Sequence, residues 1–144
     1  MNSPIRRVED SLPIQLLAAH DKVMEYFRPT LKKYDLTDQK WRILRFIAQN
    51  ERPEFHVVAK SCMLKRASLS RILVVLENAG WIERTGDADD KRQVHLSLTT
   101  DGRQFHDTVA AEFTVAFAKL DERLGKEGIS LLDSLRKAQA LLSF

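Results

Sequence analysis

The sequence predicts a mainly α-helical fold with one small β-hairpin, and three stretches predict it. Between Lys60 and Leu76 there are four cations (Lys60, Lys65, Arg66, Arg71) and no Asp or Glu, while Leu69, Ile72, Leu73, Leu76 and Ala79 follow helical spacing. Directly after this helix, Trp81–Arg84 and Gln93–Thr99 read as two short strands around a turn-rich tip, Gly86–Asp90. Amphipathic helical patterns occupy both ends of the chain, 11–34 and 100–144. Helix, helix and hairpin in this order, over 36–99, make a winged helix-turn-helix. The terminal helices lie outside it. Their apolar stripes need a partner, and a second copy of the same helices is the economical one, so the whole of 1–144 reads as a single dimerising domain.

Each element has a local cause. Residues 1–10 are polar and loosely held. Ser11 can cap the first helix, with Pro13 in the first turn, where a missing N–H costs little. Leu12, Leu16, Ala19, Val23, Phe27 and Leu31 recur at three- and four-residue steps, and Pro29 kinks or breaks the run. Thr37 caps the next helix, Asp38 sits at the positive end of its dipole, and Trp41, Leu44, Ile47 and Ala48 form its buried stripe. Asn50–Glu54, with Pro53, is a loop. Phe55–Val58 reads as a short strand entering a third helix over roughly His56–Met63. The fourth helix runs from about Arg66 to Asn78 and ends at Gly80, which tolerates a left-handed cap.

In the second strand Val94, Leu96 and Leu98 share one face, with Gln93, His95, Ser97 and Thr99 on the other. Glu83 and Arg84 are a candidate ion pair across the hairpin. Thr99 or Thr100 caps a long fifth helix with a seam of Phe105, Val109, Phe113, Ala116, Phe117, Leu120 and Leu124. Gly125 and Gly128 break it, and a last helix carries Ile129, Leu132, Leu135, Ala138 and Leu142.

Composition narrows the function. A hydrophobic content of 44% with 30% charged residues describes a globular chain, and the net charge of +3 permits an anionic partner without demanding one. Cys62 is the sole cysteine, so no intramolecular disulfide forms; with no signal peptide, this favours the cytoplasm. No apolar run is long enough to cross a membrane. His20, His56, His95 and His106 lie in separate elements, so no metal or other cofactor is expected. No nucleophile elbow, phosphate loop or paired-carboxylate motif is present, so an enzyme is not expected.

With the apolar stripe of the fourth helix facing a core, Ser68, Ser70, Arg71 and Val74 remain on the other face, with Lys65 and Arg66 at the helix start. Small hydroxyls and arginines on an exposed helix suit a DNA groove, where arginine forks onto guanine or phosphate. Phosphate contacts from Lys65, Arg66, Lys91 and Arg92 would supply affinity independent of sequence. Two other readings compete: thiol redox sensing through Cys62, and a winged helix that binds protein rather than DNA.

Five pieces in order carry a resemblance over nearly the whole chain. They are Leu36-Thr37-x-Gln39-x-Trp41-x-Ile43-Leu44, Ser70-Arg71, Leu76-Glu77-x-x-Gly80-Trp81-Ile82-x-Arg84, Asp90-x-Arg92 and Leu98-Thr99-x-x-Gly102. The chain resembles the multiple antibiotic resistance regulator (MarR) family. Tyr26-Phe27-Arg28-Pro29 and Gln39-Lys40-Trp41-Arg42-Ile43 look like one branch of it, the repressors of homoprotocatechuate (4-hydroxyphenylacetate) degradation operons. The resemblance implies a homodimeric repressor on a pseudo-palindromic double-stranded DNA operator. It puts Ser68, Ser70 and Arg71 on the recognition surface and Arg92 at the wing tip. It also puts Asp90 where it braces an arginine of the recognition helix, with Arg71 the candidate. Ala67 stands where this branch often has proline, and Lys91 where arginine is frequent. The resemblance further implies a small aromatic carboxylate effector, bound between dimerisation helices and winged helix by His20, Met24, Arg28, Trp41, Arg42 and Arg45.

Overall fold

The computed structural model of the protein describes residues 5–86, 89 and 93–143. The predicted tip residues Asp90, Lys91 and Arg92 lie outside the described residues. The helices are α1 (Leu12–Met24), α2 (Arg28–Lys33), α3 (Asp38–Gln49), α4 (Phe55–Ser61), α5 (Arg66–Asn78), α6 (Thr100–Leu124) and α7 (Lys126–Leu142). The strands β1 (Ile82–Gly86) and β2 (Val94–Leu98) pair antiparallel between α5 and α6, in a register that sets Ile82 opposite Leu98 and Gly86 opposite Val94. The chain divides into two compact units: Thr30–Glu112, and Met1–Pro29 together with Phe113–Phe144.

The first unit holds the winged helix. Thr37 caps α3 as its sequence predicts, its hydroxyl accepting from the Lys40 backbone N–H at 3.1 Å. Trp41, Ile43, Leu44 and Ile47 of α3 are buried, as are Val58 of α4, Leu69, Leu73 and Leu76 of α5, Ile82, Leu96, and Val109 of α6. Each side chain of this kind contributes about 1.5–3 kcal/mol relative to an exposed one. The predicted stripe omits Ile43, which is wholly buried, and includes Ala48, which is half-buried.

Three helices in this unit end alike, and two of the endings are unexpected. After α5, Gly80 takes φ +77°, and the N–H groups of Gly80 and Trp81 donate to the carbonyls of Glu77 and Leu76 at 2.9 and 3.0 Å. After α2 and α4 the left-handed position is taken by Asp35 (φ 52°) and Met63 (φ 56°), with six-to-one bonds Leu36 N–H to Leu31 O and Leu64 N–H to Ala59 O, each 2.9 Å. The Met63 cap makes the sharp turn between α4 and α5, the turn of the helix-turn-helix.

Two expectations about this unit are corrected. Phe55–Val58 is helix from its first residue; the strand-like signal reduces to one bridge, Glu54 to His95, and a bond from the Leu96 N–H to Pro53 O at 2.9 Å. These backbone contacts dock the loop before α4 onto β2, and the chain then turns into α4. Arg84 pairs with Glu77 of α5 rather than with Glu83, because neighbouring strand residues point to opposite faces.

Thr99 locks the wing to α6. Its hydroxyl donates to Gly80 O at 2.5 Å and accepts from the Gly102 N–H at 2.9 Å, so it is both the helix cap and a tie to the end of α5. Trp81 stacks on Phe105 with ring centres 4.2 Å apart, and Tyr34 meets the same ring edge-on at 6.0 Å. Glu112 accepts from Lys33 at 2.5 Å and Tyr34 at 2.6 Å; these hydrogen bonds, Lys33 first, hold its carboxyl below the usual range and raise both partners.

In the second unit Phe27, where the chain turns between α1 and α2, stacks on Phe113 at 5.4 Å and tilts against Phe117 at 4.6 Å. Phe113, Ala116 and Leu120 are buried. Neither α1 nor α7 contributes a buried residue. Leu12, Leu16 and Leu17 of α1 and Ile129, Leu131, Leu132, Leu141 and Leu142 of α7 remain exposed in the single chain. Ser11 stands at the N-cap of α1, but its hydroxyl makes no cap bond. Pro29 stands at the second position of α2, and the helix break expected there falls at 25–27. Gly125, at φ 55°, ends α6; Gly128 does not break the chain again but sits in the first turn of α7.

Candidate nucleic-acid interface

α5 stands as a ridge between two clefts. On one side Gln39 and Lys40 of α3 face Ser68, Arg71, Ile72 and Val75 across a cleft of about 290 Å³. On the other, a cleft of about 390 Å³ is bounded by Phe55 and His56 of α4, Arg66 and Ser70 of α5, and Arg84 and Gln93 of the hairpin, among others. Ser68 and Ser70 are half-buried, one in each cleft. Lys65, Arg66 and Arg71 are exposed. Of the stripe expected to face the core, Leu69, Leu73 and Leu76 are buried and Ile72 is half-buried, but Ala79, beyond the last turn of the helix, is exposed; the sequence also does not resolve the outward side into crest and flanks.

The start of the ridge is braced. The Arg66 guanidinium lies over the Phe55 ring, 5.5 Å from its centre, and cation–π contact fixes an otherwise mobile side chain. The root of the wing is held by the Glu77–Arg84 pair and by Arg52, whose guanidinium donates to Thr85 Oγ1 at 3.0 Å. His95 Nδ1 lies 3.0 Å from Arg52 O, so that nitrogen carries the donor proton. Gln39, Lys40 and the Glu77–Arg84 brace were not among the predicted site residues. All four residues fall within the quoted motifs, and that is the signal available. The predicted Asp90 brace and the wing contacts Lys91 and Arg92 lie outside the described residues.

The residues expected to hold an effector have varied surroundings. Trp41 is 4% exposed and stacks on His106 at 5.3 Å, while His106 also meets Asp107 at 2.9 Å. Arg42 donates to Cys62 O at 2.6 Å and pairs with Asp38 at 3.2 Å, so its guanidinium ties α3 to the end of α4. Arg45 is exposed on α3. In the other unit His20 is exposed and Met24 half-buried on α1, and Arg28 pairs with Asp21, holding that carboxyl below its usual range. Among the described residues no group of His, Cys, Asp and Glu could hold a metal ion, and no helix is long and apolar enough to cross a membrane.

Cys62 is 3% exposed, and burial pushes its thiol up to about 11, with Arg42 a smaller opposing influence. A thiol so far above neutral pH holds almost no thiolate, which is the reactive form. Native Cys62 is therefore expected to resist a thiol reagent at pH 8 and to react fully in denaturant; fast labelling of the folded protein would restore the redox reading.

The comparisons with known proteins meet this geometry. The profile of the MarR family matches residues 34–93. The transcriptional regulator FarR of Neisseria gonorrhoeae is 35% identical over 132 residues, 92% of this chain and 90% of that protein. The chain belongs to the MarR family. This MarR-family protein is also 33% identical to the homoprotocatechuate degradative operon repressor of Escherichia coli, over 89% of this chain and 86% of the repressor. Among solved structures, NadR in complex with 4-hydroxyphenylacetate is 33% identical, with a TM-score of 0.80 over 99% of this chain and 100% of that one. The MarR-family chain is a transcriptional regulator with a winged-helix fold.

Proposed function

We propose that this regulator is a homodimeric repressor that holds a pseudo-palindromic operator and leaves it when a small aromatic carboxylate binds. The observation that carries the DNA half is the ridge itself: an outward helix face, acid-free from Arg66 to Leu76, flanked by one cleft that holds Lys40 and Ser68 and another that holds Arg66, Ser70 and Arg84. In this reading Arg71 reads a base. Ser68 and Ser70 contact the walls of the groove, and Lys65, Arg66, Lys91 and Arg92 neutralise phosphates. Asp90 braces the wing. The region 36–99 is the DNA-binding part, and 11–34 and 100–144 are the dimerisation helices. The exposed leucines of α1 and α7 support a second copy as their cover. Two copies of α5 would then meet half-sites about 34–36 Å apart. The protein works in the cytoplasm, where its DNA is.

The effector half rests on similarity to the 4-hydroxyphenylacetate-bound relative and to the catabolic repressor. His20, Met24, Arg28, Trp41 and Arg45 are the residues assigned to it. Arg42 contributes by position, because its guanidinium already serves Cys62 and Asp38. An effector acts only through differential affinity for a dimer whose reading heads are wrongly spaced. The test is operator binding by fluorescence anisotropy, with and without 4-hydroxyphenylacetate. Falling affinity with rising effector is expected. Affinity that ignores a range of phenolic acids would reduce the protein to a constitutive binder.

A further inference from the structure

The crest of α5 is not polar throughout. Ala67, Arg71, Val74 and Asn78 follow at steps of four, three and four residues, which places them on one helix face. All four are exposed, and Val74 keeps 48% of its surface open. The core side of the helix is supplied by Leu69, Leu73 and Leu76, so Val74 has no packing role there. A β-branched residue on an open helix face lowers helix propensity without adding burial. No acid stands between Ala67 and Val74 to repel a polyanion. The crest therefore presents a methyl group, a guanidinium, and a second pair of methyls to whatever it docks against.

We propose that Ala67 and Val74 are specificity-determining residues that read the C5-methyl groups of thymine on either side of the base pair addressed by Arg71. This deepens the operator-binding reading and rests on it. The thymine methyl is the one apolar group on the major-groove edge of the bases, and small apolar side chains are its natural contact. The spacing agrees. Seven residues of helix separate Ala67 from Val74, a rise of about 10.5 Å. Three base steps cover about the same length, at roughly 3.4 Å each. Arg71 lies between them, four residues after Ala67 and three before Val74. Ser68 and Ser70, set back in the clefts, are left to the groove walls. Each half-site is thus expected to carry two thymines flanking a guanine.

The experiment uses the full-length protein and a duplex that it selects from a random-sequence pool. That duplex is resynthesised with deoxyuridine at every thymine, which removes only the methyls. Wild-type affinity is expected to fall about fourfold for each contacted methyl, the equivalent of one buried methylene. Ala67→Ser with Val74→Ser is expected to bind both duplexes equally. Arg71→Ala is expected to bind weakly yet keep the sensitivity to deoxyuridine. Wild type that binds both duplexes alike, or a double variant as sensitive as wild type, overturns the proposal. Circular dichroism establishes that the variants are folded, and Val74→Thr, which keeps one methyl, is expected to fall between Val and Ser. Failure of the underlying reading shows separately: Arg71→Ala binding as tightly as wild type removes α5 from the groove, whatever deoxyuridine does.

Discussion

Replacing Arg71 with alanine is expected to weaken operator binding by about 1–3 kcal/mol per half-site, roughly fivefold to 150-fold. The size follows from where the side chain stands. Arg71 is exposed on the crest of α5, one turn beyond the helix start, beside Lys40 and Ser68. A guanidinium there can fork onto a guanine edge, and the loss of two parallel hydrogen bonds is specific to the base they read. Lys65 and Arg66 stand at the start of the ridge, and in the proposed reading they contact phosphate. Alanine at either one is expected to lower affinity for all sequences and flatten the dependence on salt. Titrations of the three variants at several salt concentrations separate the roles. An Arg71 variant that loses affinity equally for operator and random DNA would move Arg71 to the phosphate class.

Gly102→Ala is expected to destabilise the folded protein by about 3 kcal/mol, at the upper end for overpacking. A Cβ at Gly102 would stand 1.8 Å from the carbonyl oxygen of Trp81 and 2.7 Å from its carbonyl carbon. That backbone cannot retreat. Trp81 O accepts from the Thr99 N–H at 3.1 Å, and Thr99 in turn holds Gly80 and caps α6. Either α6 or the root of the hairpin must shift, so operator affinity is expected to fall along with the melting temperature. Gly128→Ala is the control. Its Cβ would meet the Leu124 Cβ at 3.0 Å, a tight contact that a shift of a few tenths of an ångström relieves and far milder than the 1.8 Å at Gly102, and alanine favours the helix it joins. A Gly102 variant that melts like Gly128→Ala would show that the wing root is softer than these contacts imply.

These two glycines illustrate what could be read in advance. Gly102 is part of a quoted motif, yet its reason, the close approach of Trp81, exists only in the folded chain. Gly128 looks like a breaker by composition, but a glycine in the first turn of a helix has no need to break it. The Thr37 cap and the Gly80 stop were legible because each is settled within a few residues. Asp35 and Met63 were not, because nothing local marks a non-glycine residue for the left-handed region. Glu83 is the acid nearest Arg84 in sequence and so its candidate partner there, whereas the strand turns Arg84 toward Glu77.

By itself the sequence determined the fold class, the order of the elements apart from the strand expected at Phe55–Val58, and the acid-free helix α5. These follow from periodicity, capping and local charge, which act over one or two turns of chain; the MarR resemblance came from motifs in order. The tertiary structure alone decided which side chains form the crest of α5 and which retire into its flanks. It also committed Arg42 to Cys62 and Asp38, and set Gly102 against the Trp81 carbonyl with no room for a Cβ. Those outcomes depend on where α3, α4 and the hairpin come to rest against α5 and α6. Packing between elements distant in sequence sets them, and no window along the chain contains it.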